Sequence, residues 1–230
     1  MIAALIVAAG RGTRFGGDVP KQYRQLGGLP ILRRTLEVFR AHPAIGRIQV
    51  IIHPQDLPLY EEAAGDLGLP PPVAGGATRQ DSVRQGLEAL AGLGVTKVLI
   101  HDAVRPFVTP ELIGRVIEAL GAHDGAIAAI PVVDTLKRAE GERCAGTVPR
   151  EGLWRAQTPQ GFDFAKILAA HQRFAGQELT DDAALAEAAG LDVVLVRGSE
   201  ENFKITTEED LERAALLLAG REARAASETG

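Results

Sequence analysis

The chain alternates between short runs of apolar residues and longer segments in which apolar residues recur every three or four positions. An uninterrupted apolar run is typical of a strand that is buried on both faces. Such runs lie at 2–9, 47–52, 97–101, 125–131 and 193–196. Helical spacing predicts helices at 30–40, 57–64, 82–91, 110–120, 163–173 and 181–189. This alternation predicts an α/β fold, with a Rossmann-like, mixed but mainly parallel sheet flanked by helices.

Polar residues next to the helical segments predict where several helices begin. Thr109 is expected to cap the helix at 110–120, and Thr180 the helix at 181–189. Thr207, with Asp210 three residues on, predicts a capping box that starts the last helix. The periodicity is lost from residue 219 onward, which predicts a frayed end.

The pattern changes between the strand at 125–131 and Trp154. Two β-like runs, 132–138 and 147–150, flank the polar stretch 139–143. We expect a β-hairpin arm, inserted at about 132–153, that is too apolar to remain bare. A solvent-exposed flap is the alternative. Since no linker separates two parts of the chain, we predict a single domain over 1–230.

The first predicted strand runs directly into a turn rich in glycine and positive charge. Its glycines are Gly10, Gly12, Gly16 and Gly17, and its cations are Arg11, Arg14 and Lys21. Glycine lets backbone N–H groups approach a ligand closely, and successive amides form a concave anion site. The turn therefore predicts a phosphate cradle at the carboxyl end of a strand. A glycine-rich surface loop with incidental charge is the alternative.

Two common phosphate-binding motifs do not match this turn. No Lys-Ser or Lys-Thr follows a glycine, which argues against a P-loop. Phe15 stands where the dinucleotide-binding fingerprint needs its third glycine, and its bulk argues against a nicotinamide site.

Composition narrows the classes of partner. The formal net charge of -5 argues against broad nucleic-acid binding, which needs a basic surface. Cys144 is the only cysteine, so an internal disulfide is excluded and a reducing compartment is favoured. No apolar stretch reaches membrane-spanning length, and the chain starts in a strand without a basic leader. We expect a cytoplasmic protein that binds neither nucleic acid nor membrane.

The amino-terminal turn also resembles a known signature. Ala8-Ala9-Gly10-x-Gly12-x-Arg14, followed by Pro20-Lys21-Gln22-Tyr23, is similar to the opening motif of the sugar-type nucleotidyltransferases. The Pro-Lys-Gln-Tyr ending resembles the cytidylyltransferases that act on sugar-alcohol phosphates. The resemblance implies that Ala8, Ala9, Gly10 and Gly12 bind the triphosphate of CTP. It also implies that Arg14 and Lys21 are catalytic and hold the charge that develops on the α-phosphorus.

Two further motifs of this family occur in order. Gly75-Gly76-Ala77-Thr78-Arg79-Gln80-Asp81-Ser82 resembles its base-reading segment, although the family usually has glutamate at position 78. His101-Asp102-Ala103-Val104-Arg105-Pro106 resembles the motif that ends its third core strand. The resemblance implies nucleotide contacts for Gly76, Ser82, Asp102, Ala103 and Arg105. A carboxylate at a strand end facing a phosphate cradle suits Mg²⁺, so Asp102 is the expected metal ligand. Asp102 as a turn or cap residue, and Arg79 as a cap or a partner of Asp81, stay as alternatives.

The remaining matches concern the acceptor and a third cation. The resemblance implies acceptor-binding roles for Thr135, Lys137, Arg150, Thr158 and Thr180, a catalytic role for Lys204, and a homodimer formed through the arm. Thr158 could equally be structural. We expect transfer of CMP from CTP to a polyol phosphate, with methylerythritol phosphate as the first acceptor. A ribitol- or glycerol-phosphate enzyme, or a non-catalytic nucleotide-binding protein, is the alternative.

Overall fold

The computed structural model describes residues 1–11, 19–177 and 179–228. Its strands are β1 Ile2–Ala8, β2 Gln25–Leu26, β3 Leu29–Pro30, β4 Ile45–Ile52, β5 Val73–Ala74, β6 Lys97–Asp102, β7 Gly125–Pro131, β8 Leu136–Glu140, β9 Arg143–Val148, β10 Trp154–Asp163 and β11 Val193–Arg197. Its helices are α1 Ile31–Ala41, α2 Leu57–Ala64, α3 Arg79–Leu90, α4 Pro110–Ala119, α5 Phe164–Arg173, α6 Asp182–Ala188 and α7 Glu208–Glu228. The alternation predicted from the apolar pattern is confirmed.

The centre of the molecule is a seven-stranded sheet with the order β11-β7-β10-β6-β1-β4-β5. β1 pairs in parallel with β4 and with β6, and β11 pairs in parallel with β7. Only β10 runs antiparallel to its neighbours β6 and β7 among the described strands of this sheet. The predicted fold class, a mixed and mainly parallel sheet between helices, is confirmed.

Both faces of the sheet are covered by apolar side chains, as continuous apolar strands require. Within β1, Ala4 and Ile6 pack on one face, and Ala3 and Leu5 pack on the other. The first face meets apolar residues of α1, α2 and α4, and the second meets those of α3, α5 and α6. The sheet is thereby held as a rigid platform whose strand ends carry the loops discussed below.

Strand β10 was not predicted by the apolar pattern. Its middle carries Gln157, Thr158 and Gln160, which are polar and yet at most 5% exposed. Each finds a partner: Gln157 Nε2 donates to the carbonyl of Ser199 at 2.8 Å, Gln160 Nε2 donates to Asp181 at 2.8 Å, and Thr158 Oγ1 accepts from the amide of Asp102 at 3.1 Å. Buried polar groups are tolerated when they are hydrogen-bonded, so this strand lacks the apolar run that marks the others.

Helix ends were predicted less well than helix cores. Thr109 caps α4 by accepting from the amide of Leu112, as predicted. The prediction for α6 was wrong, because Asp181, and not Thr180, is the cap and accepts from the amide of Ala184. Asp210 accepts from the amides of Thr206 and Thr207, which confirms the predicted capping box.

The last helix is longer than the sequence suggested. α7 continues to Glu228, so the expected fraying from residue 219 is wrong for the described residues. Arg221 explains part of the difference, because its guanidinium lies 5.1 Å from the centre of the Phe107 ring and pairs with Glu201 at 2.6 Å. Contacts of individual side chains, which helical periodicity does not reveal, thus stabilise the long polar helix α7. In the described part of the chain, the search for a helix able to span a bilayer finds none.

The predicted arm is a two-stranded antiparallel sheet of its own, formed by β8 and β9. Its turn is tighter than the expected 139–143, because Glu140 already pairs with Arg143. Gly141 has a φ of +60°, which glycine adopts without strain. The arm's base is closed by a backbone hydrogen bond of 3.0 Å from Val132 to Leu153. A hairpin therefore does project from the sheet, as the sequence predicted.

Candidate active site

A cavity of about 410 Å³ opens at the carboxyl ends of the central strands. It lies where β1, β4 and β6 end and where the turn after β5 meets α3. Its lining includes Ala8, Ala9, Gly10, Lys21, Gly76, Arg79, Ser82, Asp102, Ala103 and Lys204. The stretch after Ile130 leads into the arm and does not line this cavity among the described residues.

A buried glutamine holds the end of β1 and Gly10. Gln22 Nε2 donates to the carbonyl of Ala8 at 2.7 Å and to the carbonyl of Gly10 at 3.2 Å. Gln22 belongs to a 3-10 turn, Lys21–Tyr23, so the strand end and the segment carrying Lys21 are joined directly. Two predicted residues of this turn, Gly12 and Arg14, lie outside the described residues.

Asp102 is the centre of charge in the cavity. Its carboxylate lies 3.0 Å from Lys204 Nζ, 3.4 Å from Arg105 Nε and 3.6 Å from Arg79 Nε. Burial alone raises the pKa of Asp102, but the positive charges of Lys204, Arg79 and Arg105 outweigh burial and hold this pKa well below its usual value. The carboxylate is therefore ionised across the physiological range. One anion surrounded by three cations leaves positive charge over for an anionic ligand.

A chain of hydrogen bonds fixes Asp102 from behind. Its amide donates to Thr158 Oγ1 at 3.1 Å, and Thr158 Oγ1 lies 2.9 Å from His101 Nδ1. His101 Nε2 lies 3.1 Å from the carbonyl of Arg105 and therefore donates to it. Burial lowers the pKa of His101 to about 3, so the ring is neutral and can accept from the Thr158 hydroxyl. His101 thus supports Asp102 through Thr158.

The hydroxyl of Thr158 is already used in the contacts that support Asp102. Its side chain is buried, and its hydroxyl both accepts from Asp102 and faces His101. It does not line the cavity among the described residues. The geometry favours the structural alternative for Thr158 over direct contact with an acceptor.

Lys204 reaches Asp102 because hydrogen bonds hold the chain segment around Lys204 against the sheet. Asn202 Nδ2 donates to the carbonyl of Thr158 at 2.8 Å, and Arg105 Nη1 donates to the carbonyl of Asn202 at 2.8 Å. The amide of Ile205 donates to the carbonyl of Val104 at 3.0 Å. Asn202 and Arg105 thus position Lys204, a role that sequence reasoning did not assign to Asn202.

The paired glycines approach their neighbours too closely for a side chain. A Cβ on Gly75 would lie 2.5 Å from Cβ of Ala9, and one on Gly76 would lie 2.5 Å from Cβ of Asp81. Ser82 Oγ accepts from the amide of Gly76 at 3.1 Å and donates to the carbonyl of Thr78 at 2.9 Å. Ser82 therefore holds the turn as well as lining the cavity.

Position 78, where the family usually has glutamate, carries a helix cap. Thr78 Oγ1 accepts from the amide of Asp81 at 3.0 Å, which starts α3 three residues before the predicted position. Arg79, the first residue of α3, contacts Asp102 and also Asp182, the latter at 2.8 Å. The alternatives of Arg79 as a cap or a partner of Asp81 are wrong. Its contact with Asp102 was missed because the sequence pattern does not show which strand ends face each other.

The expected acceptor residues of the arm are not brought into the cavity of their own chain. Thr135, Lys137 and Arg150 do not line it among the described residues. Lys137 Nζ instead donates to Thr147 Oγ1 at 2.6 Å across the arm, and Arg150 donates to the carbonyl of Val133. Thr180 lies beside a second hollow on the far side of Arg79, next to the first turn of α6.

A divalent metal could be held here by Asp102 with little further help from the protein. Groups of three or more His, Cys, Asp or Glu side chains suited to a metal are absent from the described residues. Magnesium is commonly bound by one or two carboxylates together with substrate phosphates and waters. Asp102 therefore fits a metal that is held mainly by a nucleotide's phosphates.

Taken together, the parallel sheet, the glycine turn and the cation-ringed carboxylate are the features of a nucleotidyltransferase. The family model for 2-C-methyl-D-erythritol 4-phosphate cytidylyltransferase matches residues 2–220. The chain therefore belongs to the 2-C-methyl-D-erythritol 4-phosphate cytidylyltransferase family.

Three similar proteins illustrate the match. The chain is 58% identical to a bifunctional enzyme IspD/IspF of Paramagnetospirillum magneticum, over 97% of this chain and 58% of that protein. It is 52% identical to a 2-C-methyl-D-erythritol 4-phosphate cytidylyltransferase of Cereibacter sphaeroides, over 94% of this chain and 96% of that protein. The crystal structure of the protein of that name from Thermus thermophilus superposes with a TM-score of 0.75 and 37% identity, covering 94% of this chain and 98% of that one. The chain thus spans little more than half of its bifunctional relatives.

Proposed function

We propose that this chain transfers CMP from CTP to 2-C-methyl-D-erythritol 4-phosphate and releases pyrophosphate. The observation that carries this proposal is the cavity that Asp102, Lys204 and Arg79 line together with Gly10 and Lys21, with Arg105 pairing with Asp102 from behind. Family membership supports the choice of both substrates. We place the activity in the cytoplasm, in keeping with the single unpaired Cys144.

The reaction is an in-line displacement at phosphorus. An oxygen of the acceptor's phosphate attacks the α-phosphorus of CTP, and a new O–P bond forms. The bond from the α-phosphorus to the bridging oxygen breaks, and its electron pair leaves with pyrophosphate. Because a phosphate acceptor is already ionised near neutral pH, no general base is required. Catalysis then rests on positioning and on positive charge.

Three cations would offset the charge that builds up on the α-phosphate. Lys21 and Lys204 line the cavity, and Arg14 is proposed for the same task from the family motif. Preorganised charge of this kind acts without reorganisation during the reaction. Backbone groups of Ala8, Ala9, Gly10 and Gly12 would bind the triphosphate.

The cytidine end of CTP would lie towards the paired glycines. Gly76 and Ser82 line the cavity beside Ala103, and the tight turn they form leaves room for a small pyrimidine ring. Arg105 would act mainly by holding the Lys204 segment and balancing Asp102.

Asp102 would hold a Mg²⁺ ion directly or through water, together with phosphate oxygens of the nucleotide. When bound, that ion would supply further positive charge to the triphosphate. Lys204 and Arg105 already contact the same carboxylate and would keep it ionised and oriented.

The acceptor would be bound in part by a second copy of the chain. Thr135, Lys137 and Arg150 lie on an arm that projects away from its own cavity, which supports a homodimer in which each arm reaches the partner's site. Their hydroxyl, ammonium and guanidinium groups suit a polyol phosphate. Thr180 would contribute from the residue before the α6 cap, and Thr158 through Asp102.

A substrate panel tests the proposal. Purified protein with Mg²⁺ would be assayed for pyrophosphate release with each of the four nucleoside triphosphates against methylerythritol, ribitol and glycerol phosphates. We expect CTP with methylerythritol phosphate to give the highest kcat/KM. A preference for ribitol or glycerol phosphate would reassign the acceptor. CTP binding without any pyrophosphate release would favour a nucleotide-binding protein instead.

A further inference from the structure

Arg11, the first cation of the glycine turn, is already occupied by protein groups. Its Nη2 lies 2.7 Å from His53 Nδ1 and 2.7 Å from Gln55 Oε1. Its Nη1 lies 3.2 Å from Asp56 Oδ1. All three partners belong to the turn that follows β4. The guanidinium belongs to a residue that lines the cavity, and it is held there by three groups on one neighbouring turn.

Asp56 is unusual for a residue in the turn after β4 because its charged side chain is buried. Its side chain is 2% exposed, although it starts α2 without capping the helix by its own carboxylate. Its second oxygen, Oδ2, has no hydrogen-bond partner among the described residues. A buried carboxylate is costly unless it is paired, so the ion pair with Arg11 stabilises both groups where they are.

The other flank of the same turn also faces Asp56. Tyr23 closes the 3-10 turn that carries Lys21, and its hydroxyl is buried without a hydrogen-bond partner in the described part of the chain. Burial first, and then the negative charge of Asp56, raise the pKa of Tyr23, while the charge of Arg11 lowers it. Asp56, Arg11 and Tyr23 are therefore within electrostatic reach of one another.

Asp56 is thus in contact with one of the two chain segments that lead into the cavity, and its charge acts on Tyr23 in the other. Arg11 directly follows Gly10, and Tyr23 lies two residues after Lys21. Gly10, Arg11 and Lys21 line the cavity, whereas Asp56 does not. Since Gln22 already joins Gly10 to the Lys21–Tyr23 segment, a residue that holds Arg11 can set where the backbone of Gly10 lies relative to Lys21 without touching a ligand.

We propose that Asp56 is a positioning residue for nucleotide binding. By pairing with Arg11 it holds the Gly10 end of the turn against the turn after β4, at a fixed distance from the Lys21–Tyr23 segment. Arg11 then serves as the anchor of the turn and not as a phosphate ligand. This inference rests on the proposed function, because the triphosphate of CTP is the ligand that the anchored turn would bind.

The test compares CTP binding by calorimetry in Asp56→Asn, Arg11→Gln and the double variant. We expect each single variant to weaken CTP binding about tenfold, because a small displacement of positioned groups is costly. The double variant should be no weaker than the single ones, since both remove the same contact. Arg11→Lys keeps a positive charge for Asp56 and should bind CTP within about threefold of the wild type, by the size of an exposed ion pair.

A matched control is available in the next turn of the chain. Asp66→Asn removes another carboxylate that pairs with an arginine, Arg33, at 2.6 Å, and neither of these two residues lines the cavity. It should leave CTP binding unchanged. A purely structural role for Asp56 would lower the fraction of protein that binds CTP, read from the calorimetric stoichiometry, and would leave the dissociation constant alone.

Three outcomes would overturn the inference. Unchanged dissociation constants in both single variants would show that the pair does not position the turn. A loss with Arg11→Gln together with tighter binding by Asp56→Asn would show that Arg11 binds phosphate itself. Additive losses would mean two independent contacts. If Asp56→Asn fails to fold, Arg11→Gln and Arg11→Lys decide the matter, because Arg11 is partly exposed. A wild-type protein that does not bind CTP would instead contradict the proposed function.

Discussion

The cavity rim around Asp102 and the arm at 132–153 are built in opposite ways. At the rim, one buried carboxylate faces cations from α3, from the loop after β6 and from the segment before α7. In the arm, the hydrogen bonds of Lys137 and Arg150 stay within the arm. The rim therefore needs the whole fold to assemble, while the arm needs only its own hairpin.

This difference separates the two halves of the proposed reaction. Most of the described groups proposed to bind the nucleotide, among them Gly10, Lys21, Asp102 and Lys204, line one cavity of one chain. The arm residues proposed to bind the acceptor do not meet that cavity in the same chain. Changes at the rim should then impair the chemistry itself, whereas changes in the arm should act on the acceptor and across a subunit boundary.

The largest effect is expected from Lys21→Ala. Removing a preorganised cation from the reacting phosphate should lower kcat about 10²- to 10³-fold, as does the loss of one oxyanion donor. Pyrophosphate release under saturating CTP and acceptor measures this. Lys166→Ala is the matched control, because Lys166 pairs with Asp124 at the opposite ends of the strands and should keep wild-type turnover. Wild-type kcat in Lys21→Ala would remove Lys21 from the proposed mechanism.

The next effect concerns the buried charges behind the rim. Asp182 is 1% exposed and lies 2.8 Å from Arg79 and 3.2 Å from Nε2 of the buried His171. Removing one partner of a buried ion pair lowers the free energy of unfolding by about 3–5 kcal/mol. Arg79 is partly exposed and still has Asp102 as a partner, so we expect a smaller loss of about 2 kcal/mol for Asp182→Asn. Urea unfolding at pH 7 measures the loss. Asp181→Asn is the control, because asparagine caps a helix as well as aspartate does.

This loss should depend on pH in a defined direction. Burial by itself raises the pKa of Asp182, but Arg79 and then His171 outweigh burial, so the pKa is lowered. A carboxyl whose folded-state pKa is lowered stabilises the fold above its unfolded-state pKa of about 4, and this stabilisation is lost as the pH falls further. The stability difference between wild type and Asp182→Asn should therefore be full at pH 7 and should shrink below about pH 4. A difference that grew on acidification would contradict the assignment.

Sequence patterns predicted the parts of this molecule whose side chains repeat regularly. Continuous apolar runs predicted the positions of β1, β4, β6 and β7, because both faces of those strands are covered. β10 was missed, since it buries glutamines and a threonine whose partners lie on distant loops. An apolar pattern cannot report a burial that depends on hydrogen bonds to residues elsewhere in the chain.

The site shows the same division. The motifs predicted site positions for Gly76, Ser82, Asp102 and Lys204, and all four line one cavity. The contacts that hold them were not predictable, such as Arg79 on Asp182, which is 103 residues away in the sequence. The roles of the arm residues stay predictions, because their proposed partner is another copy of the chain.

A mixing experiment would test the subunit boundary directly. Arg150→Ala should raise the KM for the acceptor about tenfold and leave the KM for CTP unchanged, since a guanidinium–phosphate contact is lost. When Arg150→Ala and Lys21→Ala are combined in equal amounts, half of the dimers contain one chain of each variant. Each mixed dimer then has one site with neither change, so about one quarter of wild-type activity should return at low acceptor concentration. Activity no higher than the mean of the two variants would show that the arm serves its own chain or no site.

The smallest effect is expected from Lys137→Met. Its ammonium already donates to Thr147 Oγ1 at 2.6 Å across the arm, so it has to be shared between the arm and an acceptor. An exposed contact of this kind is worth at most about 1 kcal/mol, and we expect the KM for the acceptor to rise about threefold. Kinetics with methylerythritol phosphate at saturating CTP measure this, with Lys166→Met as the control for loss of an exposed lysine. A rise in the KM for CTP instead would place Lys137 with the nucleotide, and the division between rim and arm would no longer hold.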